Sequence, residues 1–90
     1  MSRLKKRLEI TNRLGMHARA SALLVQTVDR FSSEVTISKG DNVVNARSIM
    51  GVLTLGAARG SKVSVEIRGE DAREAMLAIE ELIEDKFRES

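Results

Sequence analysis

Alternating apolar and polar residues predict the strands of this chain. The segment RLEIT near residues 7–11 places Leu8 and Ile10 on one face, and KVSVEIR at 62–68 alternates in the same way. Such period-two patterns are typical of strands with one buried face. SSEVTIS and NVVNA predict two further short strands, joined by a hairpin turn at residues 39–41.

Apolar residues recur at helical spacing in three other segments. The first helix is predicted from His17 to about Phe31, with Leu24 and Val28 on its buried stripe. A short apolar helix is predicted over about 48–55.

The third predicted helix is the longest and covers most of 69–87, with its apolar stripe continuing to Phe87. Glu70 and Asp71 are placed to complement the positive start of this helix. The resulting order, β-α-β-β-α-β-α, predicts an α+β fold. Its four-stranded antiparallel sheet would carry the helices on one face.

Composition narrows the class of protein. A length of 90 residues fits one domain, 1–90, and the absence of Cys excludes a disulfide framework and cysteine metal ligands. No apolar run reaches the ~20 residues of a membrane span, and the basic start has no apolar segment behind it. We therefore expect a cytoplasmic protein without membrane insertion.

Charge is distributed unevenly although the net charge is only +2. Residues 1–20 carry six basic groups and one acidic group, whereas residues 66–90 carry four basic and nine acidic groups. This is compatible with two solvated surfaces or with a positive end that meets an acidic partner or a phosphate. Nucleic acid is disfavoured as a partner because the chain has only two aromatic residues for stacking on bases.

The segment LGMHARA (14–20) contains the single histidine. Gly15 permits a sharp turn, which puts His17 at the first turn of a helix, where unpaired amides and the helix dipole attract anions. Arg19 can bind a phosphate with two hydrogen bonds, and a neutral imidazole there has a lone pair for nucleophilic attack. A histidine that simply caps the helix is the alternative. A metal site is not supported, since no second His or Cys exists and no carboxylate is near residue 17 in sequence.

The short second helix has apolar residues around its whole circumference. We expect some of them to be exposed and, together with Leu23, to form a docking patch beside the histidine, unless loops cover them. The patch residues on this helix are Ile49, Met50 and Leu53. Ser48, which precedes the helix, suits an N-cap, a phosphorylation site, or both.

The segments GMHARA (15–20), SALLVQ (21–26) and SIMGVLTLG (48–56) together resemble the histidine-containing phosphocarrier family, HPr, of the bacterial phosphoenolpyruvate-dependent phosphotransferase system. The resemblance covers nearly the whole chain. It implies an open-faced β-sandwich that acts as a phosphoryl carrier and not as an enzyme, with no cofactor or metal. It further implies a monomer that takes phosphate from Enzyme I and passes it to EIIA domains.

The resemblance also assigns roles to individual residues. His17 would be phosphorylated at Nδ1, Arg19 would stabilise the phosphoryl group, and Ser48 would be the regulatory serine modified by an HPr kinase/phosphorylase. The partner-binding residues would be Leu23, Arg47, Ile49, Met50 and Leu53.

One residue departs from the family pattern. The family usually has proline after H-A-R, and this chain has Ala20. Alanine favours helix and restores one amide N–H, so the fold should persist while the geometry of phosphorylation changes. A regulatory HPr-like binding module with weak or no relay therefore remains an alternative, as does an unrelated small α+β module. EITNRLGMHAR resembles the nitrogen-related branch, whereas SIMGVLTLG is closer to the sugar-type branch.

Overall fold

The alternating segments form one antiparallel sheet of four strands with the order β1-β4-β2-β3 in the computed structural model, which describes residues 2–89. The strands are β1 (Ser2–Glu9), β2 (Glu34–Lys39), β3 (Asn42–Asn45) and β4 (Lys62–Gly69). The central strand β4 pairs with β1 on one side and β2 on the other. Its inward residues Val63, Val65 and Ile67 are almost fully buried, as the alternation predicted.

Three helices cover one face of this sheet, which confirms the predicted α+β open-faced architecture. They are α1 (Ala18–Val28), α2 (Ile49–Thr54) and α3 (Ala72–Glu84), and a short 3-10 turn, Lys86–Arg88, follows. The aliphatic core lies between helices and sheet, with Leu24 and Val28 among its buried members. Among residues 2–89, no helix has both the length and the apolar character required to cross a bilayer.

The first strand begins earlier than its sequence predicted. It runs from Ser2 rather than residue 7, because Leu4 and Leu8 both pack partly against the core. Lys6 lies between them on the helix side, and its Nζ reaches Glu80 of α3 at 3.1 Å. Because Lys6 is polar and occupies an inward position, the sequence of this segment does not alternate. The position tolerates lysine because its aliphatic stem can pack along apolar surface while its ammonium group reaches a carboxylate.

The third helix ends three residues before Phe87, which corrects the predicted helical stripe. Lys86, Phe87 and Arg88 have φ of 52°, 53° and 56°, in the left-handed region, so the helix cannot continue through them. Phe87 is nevertheless buried, with 2% of its surface exposed. The apolar spacing therefore predicted the burial of Phe87 correctly and its backbone conformation wrongly.

Asp71 occupies the N-cap position of α3, at the helix start where the sequence placed it. Asp71 makes no side-chain capping bond to α3. Its carboxylate instead accepts hydrogen bonds from the Ser32 amide at 2.9 Å, the Ser33 amide at 3.0 Å, and the Ser33 hydroxyl. These bonds, the Ser33 hydroxyl first, lower the pKa of Asp71. Asp71 thus connects the segment before β2 to the start of α3 through hydrogen bonds.

Candidate functional site

A tight turn at Gly15 leads the chain into the first helix. Gly15 has φ +66°, and a Cβ at this position would lie 2.6 Å from the carbonyl oxygen of Ala57. The next amide, Met16 N, donates to that same carbonyl at 2.8 Å. Glycine is thus required both for its backbone conformation and for the close approach of the loop that contains Ala57. The sharp turn expected from the sequence is present.

His17 occupies the N-cap position of α1, and its imidazole makes no capping hydrogen bond. Simple helix capping therefore does not account for this side chain. The amides of Ala18, Arg19 and Ala20 have no hydrogen-bond acceptor among residues 2–89, because the first intrahelical bond from this end is Ser21 N to the His17 carbonyl. These three donors and the exposed Arg19 side chain surround the start of α1 with positive potential.

The structure adds a carboxylate to this site that the sequence did not indicate. Glu89 Oε2 lies 3.5 Å from His17 Nε2, and both side chains are largely covered, with 15% and 28% exposed. The Glu89 carboxylate accepts hydrogen bonds from Asn12 Nδ2 at 2.9 Å, Arg13 N at 2.7 Å and Leu14 N at 3.3 Å. The Asn12 amide, the two backbone amides and the nearby imidazole lower the pKa of Glu89, so it is ionised at neutral pH.

Two features of the chain bring Glu89 to the histidine. A left-handed turn over Lys86–Arg88 follows α3 and leads to Glu89, and buried Phe87 anchors that turn. Asn12, with no exposed surface, uses the same Nδ2 group to donate to the Gly15 carbonyl at 2.8 Å and to Glu89. The expectation that no carboxylate lies near His17 was based on sequence proximity, and the fold overturns it.

The arrangement is suited to nucleophilic chemistry at one nitrogen of the imidazole. Nε2 faces the Glu89 carboxylate, which favours the tautomer with its proton on Nε2 and a lone pair on Nδ1. The charge that develops on the ring during attack by Nδ1 would be stabilised by Glu89. Negative charge arriving on an electrophile would be stabilised by the helix-start amides and Arg19.

The predicted apolar patch is present in a smaller form. Ile49 and Met50 are exposed, at 41% and 72% of their surface, whereas Leu23 and Leu53 are only partly exposed. Leu23 packs against the core, which corrects the expectation that it lies fully on the surface. Since α2 packs against α1, the exposed residues of α2 extend the surface of the helix that begins at His17.

Ser48 is the N-cap of α2. Its Oγ accepts a hydrogen bond from Gly51 N at 3.0 Å, and the residue is exposed. The capping interpretation is therefore correct, and it leaves the hydroxyl at the surface, where a modifying enzyme could reach it.

The Arg47 side chain is directed at backbone carbonyls of the α1 region. Its guanidinium donates to the carbonyls of Phe31 at 2.6 Å, Ser33 at 3.0 Å and Val28 at 3.3 Å. It thereby connects the end of α1 and the segment after it to Ser33, just before β2, and the Val28 carbonyl also accepts from Phe31 N at 3.0 Å. The resemblance placed Arg47 in the partner-binding set, whereas the contacts that the structure shows for its guanidinium are within the protein.

The fold and the site define a small open-faced β-sandwich with a partly exposed histidine at the start of a helix, beside unpaired helix amides and an exposed arginine. Residues 4–85 match the family model described as "PTS HPr component phosphorylation site". The chain belongs to this family, HPr, of the phosphotransferase system.

Individual relatives agree over nearly the full length. The phosphocarrier protein HPr of Xylella fastidiosa (strain Temecula1) is 50% identical over 86 residues, covering 96% of this chain and 97% of that protein. HPr of Neisseria meningitidis is 48% identical over the same coverage. Among solved structures, HPr-C-His from Thermoanaerobacter tengcongensis has a TM-score of 0.89 at 43% identity, covering 100% of this chain and 99% of that one. HPr from Bacillus anthracis has a TM-score of 0.87 at 35% identity, covering 92% and 99%.

Proposed function

We propose that this HPr-family phosphocarrier, acting as one domain and not as an enzyme, accepts a phosphoryl group on His17 Nδ1 from phospho-Enzyme I and passes it to EIIA domains. The observation that carries the proposal is the geometry at His17. Its Nε2 faces Glu89 at 3.5 Å, while the unpaired amides at the start of α1 and the Arg19 side chain are placed to receive an anion.

The proposed transfer conserves atoms and charge. The Nδ1 lone pair attacks phosphorus as the bond from phosphorus to the donor atom of phospho-Enzyme I breaks, and that donor atom leaves with the electron pair. The proton on His17 Nε2 stays in place, so the phosphorylated ring becomes cationic and is stabilised by the Glu89 carboxylate. The phosphoryl oxygens, which keep their negative charge, are bound by Arg19 and the helix amides.

Labelling from phosphoenolpyruvate through Enzyme I tests this assignment. We expect one acid-labile, alkali-stable phosphoryl group per protein, and none in His17→Ala. Because the chain has no second histidine, no other imidazole can account for such a label. A His17→Ala variant that is labelled as well as the parent would refute the assignment.

The exposed residues of α2 support the proposed docking of Enzyme I and EIIA domains. Exposed apolar side chains such as Ile49 and Met50 are common at transient interfaces. We expect Met50→Gln to raise the KM for transfer while the folding stability stays within about 0.5 kcal/mol, as for ordinary surface substitutions. An unchanged KM would remove this residue from the interface.

Regulation at Ser48 forms a further part of the proposal. A phosphate on the exposed Oγ would bring nearly two negative charges beside Ile49 and Met50, where docking would have to desolvate them. We expect Ser48→Asp to slow transfer from Enzyme I, whereas Ser48→Ala should transfer normally with slightly lower stability. Unchanged kinetics in Ser48→Asp would remove the regulatory argument.

A regulatory binding module without effective relay is a second candidate, favoured by Ala20 at the usual proline position. It predicts binding to phosphotransferase partners with slow or absent labelling of His17.

Supplying phospho-protein to sugar-branch and nitrogen-branch EIIA domains in competition would identify the receiving branch. Light scattering at working concentration would test the expectation of a monomer, and a solved HPr from Thermoanaerobacter tengcongensis is described as a dimer.

A further inference from the structure

A cationic cleft adjoins the His17 site. It has a volume of about 310 Å³, and the residues that line it are Thr11, Arg13, Arg59, Lys86 and Glu89. A second cleft contains His17 and Arg19 and shares Arg13 and Glu89 with the first. The two clefts are therefore neighbours that share part of their lining.

The three cations of this cleft are free to bind an external anion. Arg13, Arg59 and Lys86 are all exposed, and none forms an ion pair with another residue among 2–89. The negative group of the lining, Glu89, is already engaged by Asn12 and two backbone amides. The cleft thus presents a net positive charge that nothing in the described part of the chain neutralises.

The rest of the proposed docking surface carries little positive charge. Arg19 is the one basic residue within α1, and α2 contains none. Arg47 directs its guanidinium at carbonyls. Cations able to attract an acidic partner to His17 are therefore concentrated in the cleft, on the side of the C-terminal turn.

We propose that this cleft receives an acidic segment of the protein that exchanges a phosphoryl group with His17. The inference rests on the proposed function. The partner brings a negative phosphoryl group to His17, and cations beside the site raise the local positive potential, which attracts an acidic partner and speeds encounter. The lining has no apolar side chain, whereas small-molecule pockets are mostly apolar, which favours partner carboxylates over a small ligand.

The first test uses the isolated protein and a blocked hexaglutamate peptide at low salt, followed by amide NMR. We expect saturable shifts at the amides of residues 13–14, 59 and 86. Arg59→Gln/Lys86→Gln should weaken binding about fivefold or more, as expected when close charges are removed. A matched control, Lys5→Gln/Arg7→Gln, removes the same charge from exposed positions of β1 and should stay within about twofold.

Three outcomes of this titration would overturn the proposal. They are shifts centred on β1 and β4, equal weakening in both double variants, or equally tight binding of inorganic phosphate at the same residues. The last outcome would define a small-anion site. Far-UV circular dichroism of each variant checks that the proteins compared are folded.

The second test measures transfer from phospho-Enzyme I. We expect Arg59→Gln/Lys86→Gln to raise KM about five- to tenfold with kcat within twofold, and added salt to close the gap to the parent. If the KM of Arg59→Gln/Lys86→Gln equals the KM of the control Lys5→Gln/Arg7→Gln, the cleft is not the docking site. A parent that binds hexaglutamate in the cleft but takes no phosphoryl group would support the cleft and refute the proposed function. If the parent is labelled normally and Arg59→Gln/Lys86→Gln binds hexaglutamate and takes the phosphoryl group as the parent does, the proposed function is supported and the cleft proposal is refuted.

Discussion

Replacing Arg47 by methionine removes a guanidinium that holds the end of α1 against the segment before β2. The Arg47 side chain is about one third exposed and donates to three carbonyls, with a weaker contact to the more exposed Asp29 at 3.4 Å. Hydrogen bonds from a charged donor contribute about 1.5–3 kcal/mol each, and partners left unpaired cost about 1–3 kcal/mol. Because water can reach this site, it can hydrogen-bond to the carbonyls in the variant and so reduce the loss of stability.

We therefore expect Arg47→Met to lower the free energy of unfolding by about 2–4 kcal/mol, a large fraction of the ~5–13 kcal/mol typical of a domain of this size. At about 4–8 °C per kcal/mol, Tm should fall by roughly 8–32 °C. Urea and thermal unfolding must be followed by far-UV circular dichroism, because the chain lacks Trp and Tyr.

Arg47→Lys is the matched control. It keeps the charge, but its single ammonium group cannot fan out to three carbonyls, so we expect an intermediate loss of stability. If Arg47→Met unfolds within about 0.5 kcal/mol of the parent, as an ordinary surface substitution does, the structural role is refuted. A raised KM in that stable variant would then assign Arg47 to partner docking.

Three further predictions concern the acidic residues and Ala20. Glu89→Gln should slow labelling of His17 several-fold with little change in KM, because the positive charge developing on the ring loses its counterion; an equal rate would show that Glu89 has no electrostatic role. The pKa of Asp71 is lowered in the folded protein, so its stabilising effect is present at neutral pH and is lost as pH falls below about 4. Asp71→Asn should therefore unfold more easily at pH 7 and show a flatter acid decline, and a parallel decline would contradict this. Ala20→Pro removes one helix-start N–H and should shorten the half-life of phosphohistidine several-fold, measured by loss of label, with the fold intact by circular dichroism.

The sequence predicted the parts of the molecule that local patterns determine. Alternation located the strands, and helical spacing located the helices to within a few residues, because each element buries one face against a common core. The turn at Gly15 and the place of His17 at the start of α1 followed from the same local signals.

Contacts between distant segments could not be predicted in this way. Glu89 and His17 are separated by most of the chain, and a turn of three left-handed residues without glycine has no sequence signature. The continued apolar spacing through Phe87 even favoured a longer helix. Arg47 likewise lies in a loop, and the carbonyls it contacts, from Val28 at the end of α1 to Ser33 before β2, are 14 to 19 residues away in sequence.

The strained C-terminal turn and the histidine loop stabilise each other. Each of Lys86, Phe87 and Arg88 is in a conformation that costs an L-residue about 1–2 kcal/mol, so such a turn persists only when its surroundings impose it. Burial of Phe87 on one side and the hydrogen bonds to Glu89 on the other impose it here. The same bonds order the amides of Arg13 and Leu14, immediately before the Gly15 turn. Residues 86–89 thus preorganise the loop that contains His17, and contact by a partner at the adjoining cationic cleft would act on both segments at once.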